Sequence, residues 1–132
     1  AGIYGPQRSI IDRISSGNFI NVIKDKHFFS RIYIDDLVNI INASMNKPNP
    51  ISIYNVADDL PSSLNDVVRY ISEKTGIIID REVQYSELSE DEKRESFFTE
   101  NKKVNNKLIK EELGVILKYP TYIEGYNKII NC

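Results

Sequence analysis

At 132 residues, 41% hydrophobic and 27% charged, the chain has the composition of an ordinary soluble globular protein of one domain's size. Its 17 basic and 19 acidic residues are well mixed and leave a formal net charge of −2, so it carries no electrostatic footprint for nucleic acid or an anionic membrane. No stretch approaches the roughly 20 apolar residues of a membrane span, and the single cysteine, Cys132, rules out an intrachain disulfide and points to a reducing cytoplasm.

Ala1 to Tyr4 reads as the end of a buried strand running into the glycine turn Gly5-Pro6. A chain seldom starts in the middle of such a motif. Ile10, Ile11 and Ile14 recur at helical spacing and Gly17 follows as a stop, which predicts a short helix over residues 7–16. The apolar runs Phe19 to Ile23 and His27 to Ile34 flank the polar Lys24-Asp25-Lys26 and predict a hairpin or a strand-loop-strand.

Asp35 or Asp36 is expected to cap the next helix, whose apolar positions Leu37, Val38, Ile40 and Ile41 end before Pro48. Ile51 to Val56 is rich in β-branched residues and reads as a strand. Ser62 or Ser63 caps a helix carrying Leu64, Val67, Val68 and Ile71, closed by Gly76 in a left-handed conformation. Beyond it, Ile77 to Ile79 and Glu82 to Tyr85 read as extended. Ser89 and Glu92 form a capping-box pair opening a polar helix, and Phe97 and Phe98 are expected to anchor it. Asn105 or Asn106 caps a helix stopped by Gly114, and a second capping box, Thr121 and Glu124, opens the last helix. Strands alternating with helices predict an α/β fold.

The residues that could do chemistry are few. A lone histidine, His27, and a terminal cysteine argue against nucleophilic triads, and two such residues fall short of the roughly four ligands of a structural zinc site. His27 is expected as a partly buried or solvated loop residue. Asp35-Asp36 and Asp58-Asp59 could bind a hard cation, but each precedes a predicted helix, where capping explains an acid as well, and no metal site is assigned. No glycine-rich dinucleotide turn is present. Tyr70 and Lys74 read as helix-surface residues.

Taken with Phe29-Ser30-Arg31-Ile32-Tyr33-Ile34-Asp35-Asp36-Leu37, Ile53-Tyr54-Asn55-Val56-Ala57-Asp58-Asp59 and Tyr119-Pro120-Thr121-Tyr122-Ile123-Glu124-Gly125, the opening Gly2-Ile3-Tyr4-Gly5-Pro6 resembles the C-terminal part of the NAD-dependent epimerase/dehydratase family, the extended or atypical short-chain dehydrogenase/reductases. The resemblance implies a partial Rossmann-type fold. Ala1 to Tyr4 and Ile51 to Val56 would be the last sheet strands, and the small C-terminal substrate-binding portion would follow.

The resemblance also implies that the cofactor motif and the catalytic Tyr-x-x-x-Lys pair lie outside this chain. Tyr70 and Lys74 are four apart rather than in that register, so no catalytic residue is assigned. Gly2, Ile3, Tyr4 and Gly5 match the segment near the nicotinamide of NAD or NADP, although the glycines suit a simple tight turn equally well. Arg31 matches an arginine that can grip a substrate phosphate or carboxylate, against the alternative of an ion pair with Asp35 or Asp36. Arg8, Phe29 and Asn55 complete the implied substrate-side set; Tyr4, Phe28 and Tyr54 could line a pocket or belong to the core.

Three functions are compatible with these residues. The chain could be the substrate-side segment of a nucleotide-sugar or related enzyme, inactive without a separate N-terminal cofactor-binding chain. It could be a non-catalytic remnant that covers its open sheet edge by homo-oligomerisation, or a small-molecule binder without redox chemistry.

Overall fold

The computed structural model describes residues 1–47 and 53–132. Two short parallel sheets organise them. Strand β1 (Gly2–Tyr4) pairs with β3 (Arg31–Tyr33), and β2 (Asn21–Ile23) pairs with β4 (Glu82–Gln84). Each pair is parallel, so each needs a crossover, and the intervening helices supply it. The two apolar runs around Lys24-Asp25-Lys26 are therefore strand-loop-strand and not a hairpin; each strand finds its partner elsewhere in the chain.

Helix α1 (Ile10–Ser15) starts at Ser9, whose side chain accepts from the Ile11 N–H while Asp12 returns a bond to the Ser9 N–H. Helix α2 (Ile34–Met45) follows β3 without a loop. Its N-cap is Tyr33, which makes no side-chain cap bond, so neither Asp35 nor Asp36 caps it. Asp36 instead points into the protein and accepts the backbone N–H groups of Lys118 and Tyr119, both at 2.8 Å.

The strand expected over 51–56 falls partly outside the described residues, and its described part, 53–56, joins no ladder. The backbone beyond it meets β3 at isolated points: the Asp58 N–H bonds the Arg31 carbonyl at 2.6 Å, and Phe29 and Ser62 exchange two bonds of 3.0 Å. Helix α3 (Leu64–Thr75) is capped by Ser63 and ended by Gly76 at φ 72°. Of the two extended stretches after it, Glu82–Gln84 forms β4 and 77–79 joins no strand.

Both expected capping boxes form, at Ser89 for α4 (Glu90–Glu95) and at Thr121 for α6 (Tyr122–Ile130). At α5 (Lys107–Leu113) the N-cap residue is Asn106, but Asn105 Oδ1 takes the Lys107 N–H. Asn106 turns away and donates to the Ala57 carbonyl and to Asp59.

The core has two parts, one on each face of the β1–β3 pair. Tyr4 and Tyr33 point to one face, where they join Phe19, Val67, Val68, Ile71, Tyr119 and Tyr126. Ile32 points to the other, against Ile40, Ile109 and Leu117. Each such fully buried side chain contributes about 1.5–3 kcal/mol of transfer free energy, and that burial positions α2, α3 and α6 around the sheet. Among the described residues no helix is long and apolar enough to cross a membrane.

Candidate functional site

A cavity of about 610 Å³ opens between the N-terminal ends of β1 and β3 and the segment following α4. Its walls are largely aromatic: Phe19, Phe28, Phe29 and Phe98. Phe29 and Phe98 meet edge to face at 5.4 Å, and His27 lies against both, at 4.7 and 5.0 Å. His27 is thus buried behind the wall rather than solvated, with the Glu100 and Phe98 backbone beside its ring. Burial, and then the charge of Lys24, push its pKa below the usual histidine range.

The cavity's charge comes from Arg13, Arg31, Lys102 and Glu100. Lys102 is paired with Glu100 at 2.6 Å. Arg13 and Arg31 each lie beside an aromatic ring, Phe19 at 5.5 Å and Phe29 at 5.7 Å. Arg31 donates from one terminal nitrogen, Nη1, to the carbonyls of Phe29 (3.3 Å) and Ser62 (3.0 Å). Among the described residues it forms no ion pair with any carboxylate, and Asp36, one of its two expected partners, is occupied by Lys118 and Tyr119. The guanidinium is fixed along one edge by neutral acceptors; burial lowers its pKa, and Asp58 acts on it through space without a close ion pair.

Behind Arg31 lies a buried polar group. Asp58 accepts the Leu60 N–H at 3.1 Å through Oδ1, while Oδ2 is buried without a partner. Burial raises the Asp58 pKa to about 7; Asp59 and Glu124 add to the rise, and the Leu60 bond and the Arg31 charge oppose it. Asp58 therefore does not cap α3, which Ser63 does, and Asp59 is turned outward into an ion pair with Lys110 at 2.5 Å. Tyr4 Oη is likewise buried and unpartnered, and burial first, then Asp58, raise its pKa.

Because the folded protein favours neutral Asp58, that contribution to stability is fully present below the unfolded carboxyl value of 3.8 and is lost as pH rises to about 7. The melting temperature of the protein, minus that of Asp58→Asn, is expected to fall between about pH 4 and pH 7 and to level off above that. Thermal unfolding of both at matched pH checks this, and a flat difference would show that Asp58 titrates normally.

The sequence-based residues divide as follows. Gly2, Phe29 and Arg31 line the cavity, as does Phe28. Tyr4 is core, stacked on Tyr126 at 4.9 Å. Gly5 lies beneath Ile34 and exchanges two backbone bonds of 3.1 Å with the exposed Arg8. Ile3 sits at the sheet edge, Asn55 is exposed away from the cavity, and Tyr54 packs on the Ile32 cluster. Tyr70 is partly buried against Tyr122 at 5.8 Å, with the Lys74 ammonium 5.8 Å from its ring. Sequence reasoning missed the wall contributed by Phe98, Glu100 and Lys102, which no local pattern links to β3.

No family model matches the chain, and no curated protein does. Among solved structures it is similar to a conserved protein of unknown function from Silicibacter pomeroyi, with 40% identity and a TM-score of 0.87 over 99% of this chain and 46% of that one. It is also similar to TunA, an NAD-dependent NDP-hexosamine 5,6-dehydratase involved in tunicamycin biosynthesis, with 16% identity and a TM-score of 0.63 over 97% of this chain and 41% of TunA. The chain thus spans less than half the length of either protein. Its fold is α/β, a partial Rossmann-type arrangement like the C-terminal portion of an NAD-dependent dehydratase.

Proposed function

We propose that this chain is the substrate-binding, C-terminal portion of an NAD- or NADP-dependent epimerase/dehydratase-like protein, inactive until a cofactor-binding half joins it. The observation that carries the reading is Arg31: a guanidinium bonded to two carbonyls, paired with no acid among the described residues, on the wall of an aromatic cavity. Such a site suits a ligand with a flat or apolar body and a phosphate or carboxylate. The TunA likeness, in a protein acting on an NDP-hexosamine, makes a nucleoside diphosphate sugar the first ligand to try.

The dinucleotide itself does not fit this chain alone. The turn after β1 is closed on itself by the Gly5–Arg8 bonds, and a Cβ at Gly5 would meet Ile34 at 2.6 Å, so Ile34 already fills that space. No glycine-rich turn offers N–H groups to a pyrophosphate. Gly2, at the cavity's rim, could approach a cofactor held by other residues.

The test is calorimetric titration of the purified chain with a uridine diphosphate hexose. Binding is expected, weakened about 10- to 100-fold by Arg31→Met, as removal of a charge-assisted bond predicts. Equal affinity in both proteins would remove Arg31 from the site. The alternative reading, a self-associating module without nucleotide affinity, has support in β1, which among the described residues pairs on one side only; it predicts no heat of binding and a dimer by sedimentation.

A further inference from the structure

Strand β2 separates two cavities. Val22 points into the aromatic cavity, while Asn21 and Ile23, on either side of it in the alternation, line an open groove of about 540 Å³ on the other face. Helix α3 forms the facing wall with Asn65, Val68, Arg69, Ser72 and Glu73, at i, i+3, i+4, i+7 and i+8, a single stripe of the helix. The chain leading into β4 adds Ile78, Ile79 and Glu82, and the β2–β4 register sets Glu82 beside Asn21.

The polar groups of this groove are rich in free acceptors and poor in free donors. Ser72 Oγ donates to the Ile77 carbonyl at 2.6 Å, and Arg69 is paired with Asp66 at 3.5 Å. Asn21 is only 5% exposed, and its Nδ2 lies 3.4 Å from Glu82 Oε1. A carboxylate can only accept, so the nitrogen is the end of the amide that faces it, and Oδ1 is the free end. That oxygen is buried without a hydrogen-bond partner, and so is Asn65 Oδ1 across the groove. Asp25, Glu73 and Glu82 are exposed and form no ion pair among the described residues.

We infer that this groove binds a small aliphatic diamine or polyamine through its ammonium groups. An ammonium carries three donors and no acceptor, which complements two orphaned amide oxygens and three carboxylates. The same carboxylates repel an anionic ligand. A metal ion fits poorly, because among the described residues no three acids converge closely enough to hold one. Acids spread around an opening suit charges spaced along a chain instead. The alkyl part of such a ligand finds apolar wall in Ile23, Val68, Ile79 and Ile78, the last 86% exposed. The site is independent of the function proposed above, since β2 stands between it and the aromatic cavity.

The test is a titration of the isotope-labelled protein with putrescine, a four-carbon diamine, followed through the side-chain amide NMR signals of Asn21 and Asn65. The four-carbon diol is the uncharged control. Saturable shifts of both signals are expected at about millimolar putrescine, as so small a ligand allows, and none with the diol. Glu73→Gln combined with Glu82→Gln, both at exposed positions, should weaken binding at least about threefold. Asn65→Ala, read on the Asn21 signal, should weaken it about 3- to 10-fold, and Arg31→Met should leave it unchanged.

Absence of saturable shifts, an equal response to the diol, or unchanged affinity in the double glutamine variant would overturn the site. Shifts spread over every acidic surface would mark unspecific screening and overturn it too. A loss of binding in Arg31→Met would move the ligand to the aromatic cavity, with the same consequence.

Discussion

Asp36→Ala is expected to lower the stability of the chain by about 2–4 kcal/mol, because one buried and one partly buried N–H group lose their acceptor at once. The carboxylate is fully buried, and its two oxygens take the N–H groups of Lys118 and Tyr119 one each, at 2.8 Å. These bonds join the first turn of α2 to the segment leading into α6, residues 82 and 83 positions apart in sequence. Leu117 and Tyr119, on either side of Lys118, belong to the two different core clusters, so loosening this joint should disturb both. Asp36→Asn keeps one acceptor and should fall between the two proteins. Urea denaturation followed by circular dichroism measures the difference. A loss below about 1 kcal/mol for alanine would mean that water or a shifted backbone satisfies the freed donors.

That role was not legible in the sequence, and the reason is physical. An acid at the start of an apolar helix has two good local uses, capping and favourable interaction with the helix dipole, and both are encoded within a few residues. A carboxylate that reaches across the fold leaves no such trace. The same limit hid the fates of Asp58, which is buried, and Asp59, which pairs with Lys110. Local signals survived well: the capping boxes at Ser89 and Thr121 and the left-handed Gly76 form as their spacing predicts. Strand pairing did not, since β1–β3 and β2–β4 are both non-local and parallel.

The cavity was legible in part for a related reason. Phe29 and Arg31 lie two apart on the extended segment that enters β3, inside the stretch that carries the family resemblance. The opposite wall arrives from far along the chain and is tied down by bonds that no periodicity encodes. Asn101 accepts the Phe28 N–H at 2.9 Å and donates to the Lys26 carbonyl at 2.9 Å, and Ser30 Oγ takes the Val104 N–H at 2.8 Å. These three contacts hold residues 101–104 against residues 26–30, the segment that enters β3, and thereby shape the cavity around Arg31.

Gly125→Ala, inside helix α6, should also be strongly destabilising, against the usual preference of helices for alanine of about 1 kcal/mol. A Cβ at this position would come within 2.6 Å of Tyr4 Cζ and nearer still to its Oη. Tyr4 cannot simply move aside, because its ring is stacked on Tyr126 at 4.9 Å and meets Tyr33 edge-on at 5.4 Å. Overpacking of this kind costs about 1–3 kcal/mol, and more where the neighbour is held on two sides. Tyr4→Phe tests the cause. Its hydroxyl is buried without a partner, so removing it should be neutral or slightly stabilising. In the double variant the closest obstacle is gone, and a coupling energy of at least about 1 kcal/mol is expected in the double-mutant cycle. Strict additivity would mean that Gly125 is needed for its backbone and that the close approach of Tyr4 is incidental.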